Sequence, residues 1–302
     1  MAKINALSFG DNISIVAPSG KVEAATLNRA TKYLTAKGYQ PLVAKGLLKP
    51  HMHFANTDAK RFQYLKQALN NKNANFIWSL RGGSGAQRLL PYLDKMQQPL
   101  NTKVFIGFSD NTCLQNYFAL NWNWPSLHAP VLNRMSTSKQ SKAEEKMIWD
   151  FLQNKKSVLS GLQAMNQKAK STKSIKGKII GGNLTTLQAM LGSSLNLQAK
   201  SKILFLEDVS EMPYRIDRAL VSLQQAGVFR ACKAIVLGDF SHCKGLKGTT
   251  SIEQELHAFA QDLKLPVYKG LKVGHGKVQQ PMWLNVNSQI SNSKLIMSSP
   301  LK

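Results

Sequence analysis

Short apolar runs at 13–17, 41–44, 76–80 and 104–108 punctuate the first third of the chain. They are bounded by turn residues and too short for buried helices, so they predict buried strands. Between them the period changes. Residues 26–37 place Leu27, Ala30 and Leu34 at helical spacing, and 58–69 repeat Ala59, Phe62, Leu65 and Leu69 behind Thr57 as N-cap. Strand, helix, strand, helix with short joints predicts a parallel sheet covered on both faces. Ligand groups in such sheets gather on the loops that leave the strand C-termini. Three exits, Ala17-Pro-Ser-Gly20, Leu80-Arg-Gly-Gly-Ser-Gly85 and Phe108-Ser-Asp110, are therefore expected along one edge.

The pattern breaks at 155–178, a lysine-rich stretch without an acidic residue or an aromatic, and resumes after it. Strands are predicted at 203–206, 234–237 and 283–286, and helices at 184–191, 215–226 and 252–263. The tail from 282 to 297 alternates like two strands turning at Asn287-Ser288. The resulting organisation is an N-terminal α/β domain over 1–154, a basic linker over 155–178 and a C-terminal α/β domain over 179–302.

Composition narrows the class. A chain of 302 residues with 43% hydrophobic content can bury a sizeable core as one large or two medium domains. The first twenty residues have no sustained apolar core, so a secretory signal is not expected, and no apolar stretch is long enough to span a membrane. Cys113, Cys232 and Cys243 are odd in number and form no Cys-x-x-Cys pair, so a cytoplasmic protein without a metal or other cofactor is expected. The net charge of +24 raises nucleic acid, an anionic surface or an acidic substrate as partners. The lysines are scattered, and the basic stretch lacks the aromatics that stack single-stranded bases, so a solvated linker is the simpler reading and no nucleic acid is expected.

Three residues carry candidate chemistry. Ser109 ends an apolar run in Lys103-Val-Phe-Ile-Gly-Phe-Ser-Asp-Asn-Thr112, at a strand-to-helix corner where backbone N–H groups are free. That suits an acyl-transfer nucleophile, although Ser-Asp before a helix is also an ordinary N-cap. Glu207 follows the apolar run Lys202-Ile-Leu-Phe-Leu206, where a rigid, partly desolvated carboxylate can orient an imidazole or simply pair with Arg215 or Arg218. His275, in Lys272-Val-Gly-His-Gly276, is flanked by glycines that leave its ring accessible, and His242 is its main competitor as a general base. His128 looks structural or substrate-shaping. The loop Arg81-Gly-Gly-Ser-Gly85 lacks both the Walker A ending and the dinucleotide spacing. Its glycines can instead bring a backbone N–H up to a reacting carbonyl.

These blocks resemble the LD-carboxypeptidase family of serine peptidases, which also includes microcin-immunity peptidases. The resemblance runs in order through Val16-Ala-Pro-Ser-Gly20, Leu80-Arg-Gly-Gly-Ser-Gly-Ala-Gln-Arg-Leu-Leu-Pro91, Ile106-Gly-Phe-Ser-Asp-Asn-Thr112 and His128-Ala-Pro130. It continues through Gly181-Gly-Asn-Leu184, Leu206-Glu-Asp-Val, Tyr214-Arg-Ile-Asp-Arg218 and Gly274-His275. It implies Ser109 as nucleophile, His275 as general base and Glu207 as the carboxylate orienting it, with the N–H groups of Asp110 and Gly83 as oxyanion hole. It also implies a flavodoxin-like N-terminal domain bearing the serine and a C-terminal α/β domain bearing the other two, with the active site at their interface and a homodimeric assembly. Arg81, Gly82, Ser84, Asn183 and Tyr214 are the substrate-binding candidates. The implied substrate is a cytoplasmic murein tetrapeptide, or a similar anionic peptide, losing its terminal D-Ala in cell-wall recycling. Ser84 stands where the family often has an aromatic, Ala129 replaces a common glycine, and the usual Pro-x-Gly after His275 is reduced to Pro281-Met-Trp283. These departures keep open an immunity-type peptidase acting on aminoacyl-nucleotide conjugates. A non-catalytic nucleic-acid-binding protein is the more distant alternative.

Overall fold

The computed structural model describes residues 4–137, 140–195, 197–245 and 249–302. The chain divides into two compact units, one of Met1–Lys156 with Ser299–Lys302 and one of Ser157–Ser298.

In the first unit the apolar runs become β1 (Asn12–Val16), β2 (Gln40–Val43), β3 (Phe76–Ser79), β4 (Val104–Gly107) and β5 (Ser126–His128). They pair in parallel in the order β2-β1-β3-β4-β5, the flavodoxin-like order that the family resemblance implies. β3 and β4 are buried along their whole length, which is why they read as unbroken apolar runs rather than alternating ones. Trp78 in β3 buries its ring completely and satisfies its Nε1–H on Pro130 O at 2.9 Å. Helices α1 (Ala24–Ala36) and α2 (Asp58–Asn70) bury Ala30, Leu34 and Leu65 at helical spacing, and Thr57 Oγ1 caps α2 by accepting the Lys60 N–H at 3.4 Å. The unit is completed by α3 (Leu90–Leu93), α4 (Thr112–Asn121), α5 (Leu132–Met135) and α6 (Lys142–Leu152), the last opened by a Ser141/Glu144 capping box. Strand order reverses between β1 and β3, so the loops leaving β1, β3 and β4 crowd the crevice where such sheets bind ligands.

The second unit contains β6 (Val158–Ser160), β7 (Gln163–Ala164), α7 (Gln167–Ser171) and β8 (Ser174–Asn183). Then come α8 (Leu184–Ala189), β9 (Ile203–Val209), α9 (Pro213–Gln225), β10 (Ala234–Ser241), α10 (Ile252–Asp262) and β11 (Val267–Lys269). β12 (Met282–Leu284), β13 (Asn287–Ser291) and β14 (Lys294–Met297) follow. The eight-stranded sheet runs β6-β14-β13-β8-β9-β10-β11-β7. Its β8–β9–β10–β11 half is parallel, whereas β13, β14 and β6 are antiparallel neighbours. β8 joins the halves: residues 174–178 pair antiparallel with β13, and 179–183 pair parallel with β9.

Two expectations fail here, each for an identifiable reason. The 155–178 segment is not a linker, because it carries β6, β7, α7 and the first half of β8. Ile175 is buried while Lys176 beside it is exposed, so a period of two was hidden under the lysine count. Asn166 pins the segment down, donating from a buried amide to Ala260 O at 2.8 Å and Leu265 O at 2.9 Å. The tail hairpin turns at Asn292-Ser293, with φ of 49° and 57°, and not at Asn287-Ser288, which opens β13. Two consecutive positive φ values give the primed turn whose twist matches the strands it joins.

Candidate active site

Ser109 leaves β4 through an extended Phe108 and opens a 3-10 turn, Ser109–Asn111, that runs into α4. Its φ is +63°, in the left-handed region. A residue with a Cβ held there costs about 1–2 kcal/mol, so the surrounding structure must enforce it. The N-cap reading fails: Phe108 occupies the cap of the turn, Asn111 that of α4, and neither makes a side-chain capping bond. What remains is a half-buried hydroxyl on a strained strand-to-helix corner, the geometry of a nucleophile elbow.

The glycine-rich loop after β3 packs directly on that corner. A Cβ on Gly82 would lie 3.0 Å from Ser109 Cβ and 3.2 Å from its Oγ, so only glycine brings this backbone so near the hydroxyl. The loop is tied on both sides. Gly20 N–H donates to Gly82 O at 3.2 Å, and Asp110 accepts the Ala86 N–H on its carboxylate at 2.8 Å. Burial pushes the Asp110 carboxyl up, opposed by donors at Ser19 and Ala86 and by the Arg61 charge. Arg61 of α2, 2% exposed, knots the edge together. Its guanidinium donates to Pro18 O on the β1 exit, to Gly85 O at 2.8 Å on the β3 exit, and to Asn56 O at 3.2 Å. It also pairs with Asp58 at 2.5 Å, and Arg88 meets the same carboxylate at 2.7 Å. Burial pushes Asp58 up, but the hydrogen bonds from Arg88 and Arg61 outweigh it and leave the carboxylate below its ordinary value. Sequence reasoning missed Arg61, because an arginine three residues after an aspartate on a helix reads as a surface pair.

In the second unit, Glu207 sits near the C-terminal end of β9 with no exposed surface. Its Oε2 lies 2.7 Å from His275 Nδ1, whose side chain keeps 15% of its surface exposed. A neutral ring that carries its proton on Nδ1 donates it to this carboxylate and keeps its lone pair on Nε2, the nitrogen a general base needs. Burial raises the Glu207 carboxyl while the bond to His275 opposes it. The alternative pairing with arginine is not what forms: Arg215 meets Glu211 at 3.6 Å, and Arg215 and Arg218 lie over the Tyr214 ring. His242 lies in the loop after β10 with φ +57°.

The other candidates fall into place around these two clusters. Asn183 pairs in register with Glu207 across β8 and β9, caps α8 by accepting the Thr186 N–H, and donates to Asp208 at 3.0 Å. Asp208, buried and unremarked in the sequence, also accepts from the Thr185 N–H at 2.8 Å and Thr185 Oγ1 at 2.7 Å, which fixes the β9 end that carries Glu207. Arg81 is exposed and braces loops, its Nη1 donating to Lys21 O at 2.5 Å. Ser84 is exposed beside Gly83, whose φ is +106°. Tyr214, 51% exposed at the start of α9, forms a surface stack with its arginines. His128 is buried edge-on to Phe108, ring centres 6.0 Å apart, and so has a packing role beneath the serine corner.

Comparison with known proteins places the whole chain in a family. The model of the LD-carboxypeptidase N-terminal domain matches residues 13–129, and that of the C-terminal domain matches 176–290. A Rickettsia conorii protein bearing a carboxypeptidase name is 36% identical over 94% of this chain and 89% of its own. The murein tetrapeptide carboxypeptidase of Pseudomonas aeruginosa is 30% identical over 90% of each chain. The microcin C7 self-immunity protein of Escherichia coli is 26% identical over 89% of this chain and 87% of its own. Among solved structures, the muramoyltetrapeptide carboxypeptidase of Oxalobacter formigenes superposes with a TM-score of 0.79 at 27% identity, covering 95% of this chain and all of that one. With both domain models matched in order across most of its length, the chain belongs to the LD-carboxypeptidase family of serine-type hydrolases.

Proposed function

We propose that Ser109, His275 and Glu207 act as one triad that releases the terminal D-Ala of a murein tetrapeptide in cytoplasmic cell-wall recycling. The observation that carries this reading is the 2.7 Å bond between His275 and the fully buried Glu207, because it leaves Nε2 as the basic nitrogen. His275 Nε2 takes the Ser109 hydroxyl proton as Oγ attacks the carbonyl carbon before D-Ala. The backbone N–H groups of Asp110 and Gly83 are assigned to the resulting oxyanion, Asp110 because the first amides of a helical turn lack an intrahelical acceptor. Collapse breaks the C–N bond, and the D-Ala amine leaves with the proton from His275. Water then attacks the acyl-serine ester, giving its proton to His275, and the tripeptide carboxylate departs as Ser109 regains its hydrogen. The net charge of +24 favours encounter with a substrate carrying several carboxylates.

A second reading, cleavage of an aminoacyl-nucleotide amide, is favoured by the likeness to the microcin self-immunity protein. One experiment separates them: purified protein is incubated with murein tetrapeptide or with an aminoacyl sulfamoyl adenosine, and products are read by mass spectrometry. Free D-Ala and tripeptide support the first reading, and cleavage of the conjugate alone supports the second. Turnover that survives Ser109→Ala overturns the serine mechanism in both.

A further inference from the structure

His275 stands between two glycines, and each glycine is required by a different carboxylate. A Cβ on Gly274 would lie 2.6 Å from Glu207 Oε2. A Cβ on Gly276 would land on Asp239 Oδ2, with the Asp239 carboxyl carbon 2.8 Å away. Asp239 occupies the irregular end of β10, where the pairing with β9 shifts register between Leu237 and Phe240. Its main-chain N–H donates to Val273 O at 2.9 Å, so backbone and side chain hold the same short segment at both ends. Among the described residues Oδ2 is buried with no hydrogen-bond partner, an arrangement that costs stability and calls for a reason.

We propose that Asp239 is a positioning residue for His275: with Glu207 it flanks Gly274-His275-Gly276, each carboxylate against a different glycine, and adds a second negative charge to the field at the imidazole. The proposal rests on His275 acting as the general base. Burial, and then the charge of Glu207, raises the Asp239 carboxyl to about 6, while Lys272 opposes the rise. Lys269 of β11 and Glu253 of α10 line, with Asp239 and Lys272, a cavity of about 300 Å³. Asp239 therefore changes charge in the range where an imidazole base works. Once ionised it stabilises the imidazolium that forms as Ser109 loses its proton.

The sign of the effect follows from the charge. Removing an anion near the imidazole disfavours its protonated form, so Asp239→Asn is expected to move the acid limb of the kcat/KM profile to lower pH by 0.3–1 unit (roughly two- to tenfold in proton affinity). KM stays within about twofold, because the residue is not assigned to the substrate. Asp239→Ala, which also empties the space against Gly276, is expected to lower kcat about tenfold or more. A double-substitution cycle tests contact rather than mere structure: Gly276→Ala loses activity, and adding Asp239→Ala restores part of it by removing the oxygen in the way. A readout free of turnover is the ¹³Cγ titration of Asp239, expected near pH 6 and moving to lower pH in Glu207→Gln. An unmoved acid limb with kcat within twofold in both Asp239 variants overturns the proposal, as does a carboxyl titration indifferent to Glu207→Gln. Failure of the triad reading itself shows separately, as activity persisting in Ser109→Ala.

Discussion

Ser109 offers a test of the elbow that does not depend on any substrate. Its φ of +63° is enforced by tertiary structure, and an L-residue held there costs about 1–2 kcal/mol that glycine avoids. Glycine returns part of that gain as extra unfolded-state entropy, about 0.5–1 kcal/mol relative to alanine. Comparing Ser109→Gly with Ser109→Ala removes the hydroxyl from both sides and isolates the backbone term, leaving about 0.7 kcal/mol in favour of glycine at the midpoints of the two ranges. The unit that carries Ser109 comprises Met1–Lys156 and Ser299–Lys302. In domains of 150–250 residues 1 kcal/mol moves Tm by about 2–4 °C, so Ser109→Gly is expected to melt about 1–3 °C above Ser109→Ala. Differential scanning calorimetry on the two variants in parallel measures the gap, and neither variant should turn over substrate. A glycine variant that melts at or below the alanine variant refutes the claim that the corner is strained.

Gly82→Ala sets a methyl 3.0 Å from Ser109 Cβ, so the serine must yield by a few tenths of an ångström. A drop in kcat/KM of about tenfold to a hundredfold is expected, with Tm changed by no more than about 2 °C, and unchanged kinetics would deny the close approach a role. Arg61→Met keeps the length of the side chain but strips the Pro18 and Asn56 carbonyls of their guanidinium donor, leaving Gly85 O to the Arg88 N–H and Asp58 to the Arg88 guanidinium. A loss of about 1–3 kcal/mol by urea unfolding is expected, and a loss below about 0.5 kcal/mol would show that the knot is dispensable. Asp239 is raised in the folded state by burial and then by Glu207, so its contribution is present below its unfolded value near 4 and lost as pH rises through about 6. Asp239→Asn should therefore raise Tm at pH 8 and leave it unchanged at pH 4, and a gain of equal size at both would contradict the assignment.

Much of the fold was legible because two signals are local. The fully buried strands β3 and β4 advertise themselves as unbroken apolar runs, and Leu65 with Leu69 marks the inward face of α2 by spacing alone. The lysine-rich stretch was opaque for the opposite reason. Composition averages over both faces of a strand, so exposed Lys176 concealed the period that buried Ile175 and Ile179 keep in β8. The tail turn was displaced because Asn292-Ser293 carries no glycine, although both residues adopt the positive φ that glycine usually supplies.

The catalytic candidates divide along the same line. Residue type, loop position and family blocks singled out Ser109, Glu207 and His275 from the linear sequence, because exposed loop exits and a carboxylate after an apolar run are visible one residue at a time. Arg61, Asp208 and Asp239 were not visible, since each matters through partners 23 to 43 residues away or on a neighbouring strand. The sequence by itself determined which elements form, in what order, and which groups are chemically able to attack, to accept a proton or to orient a base. Tertiary structure alone decided that Ser109 is strained rather than capping, that Glu207 meets an imidazole rather than an arginine, and that the glycines around His275 make room for two carboxylates. The physical reason is that strand and helix preferences are set by near neighbours, whereas strain, desolvation and hydrogen-bond partners are set by whatever the folded chain brings alongside.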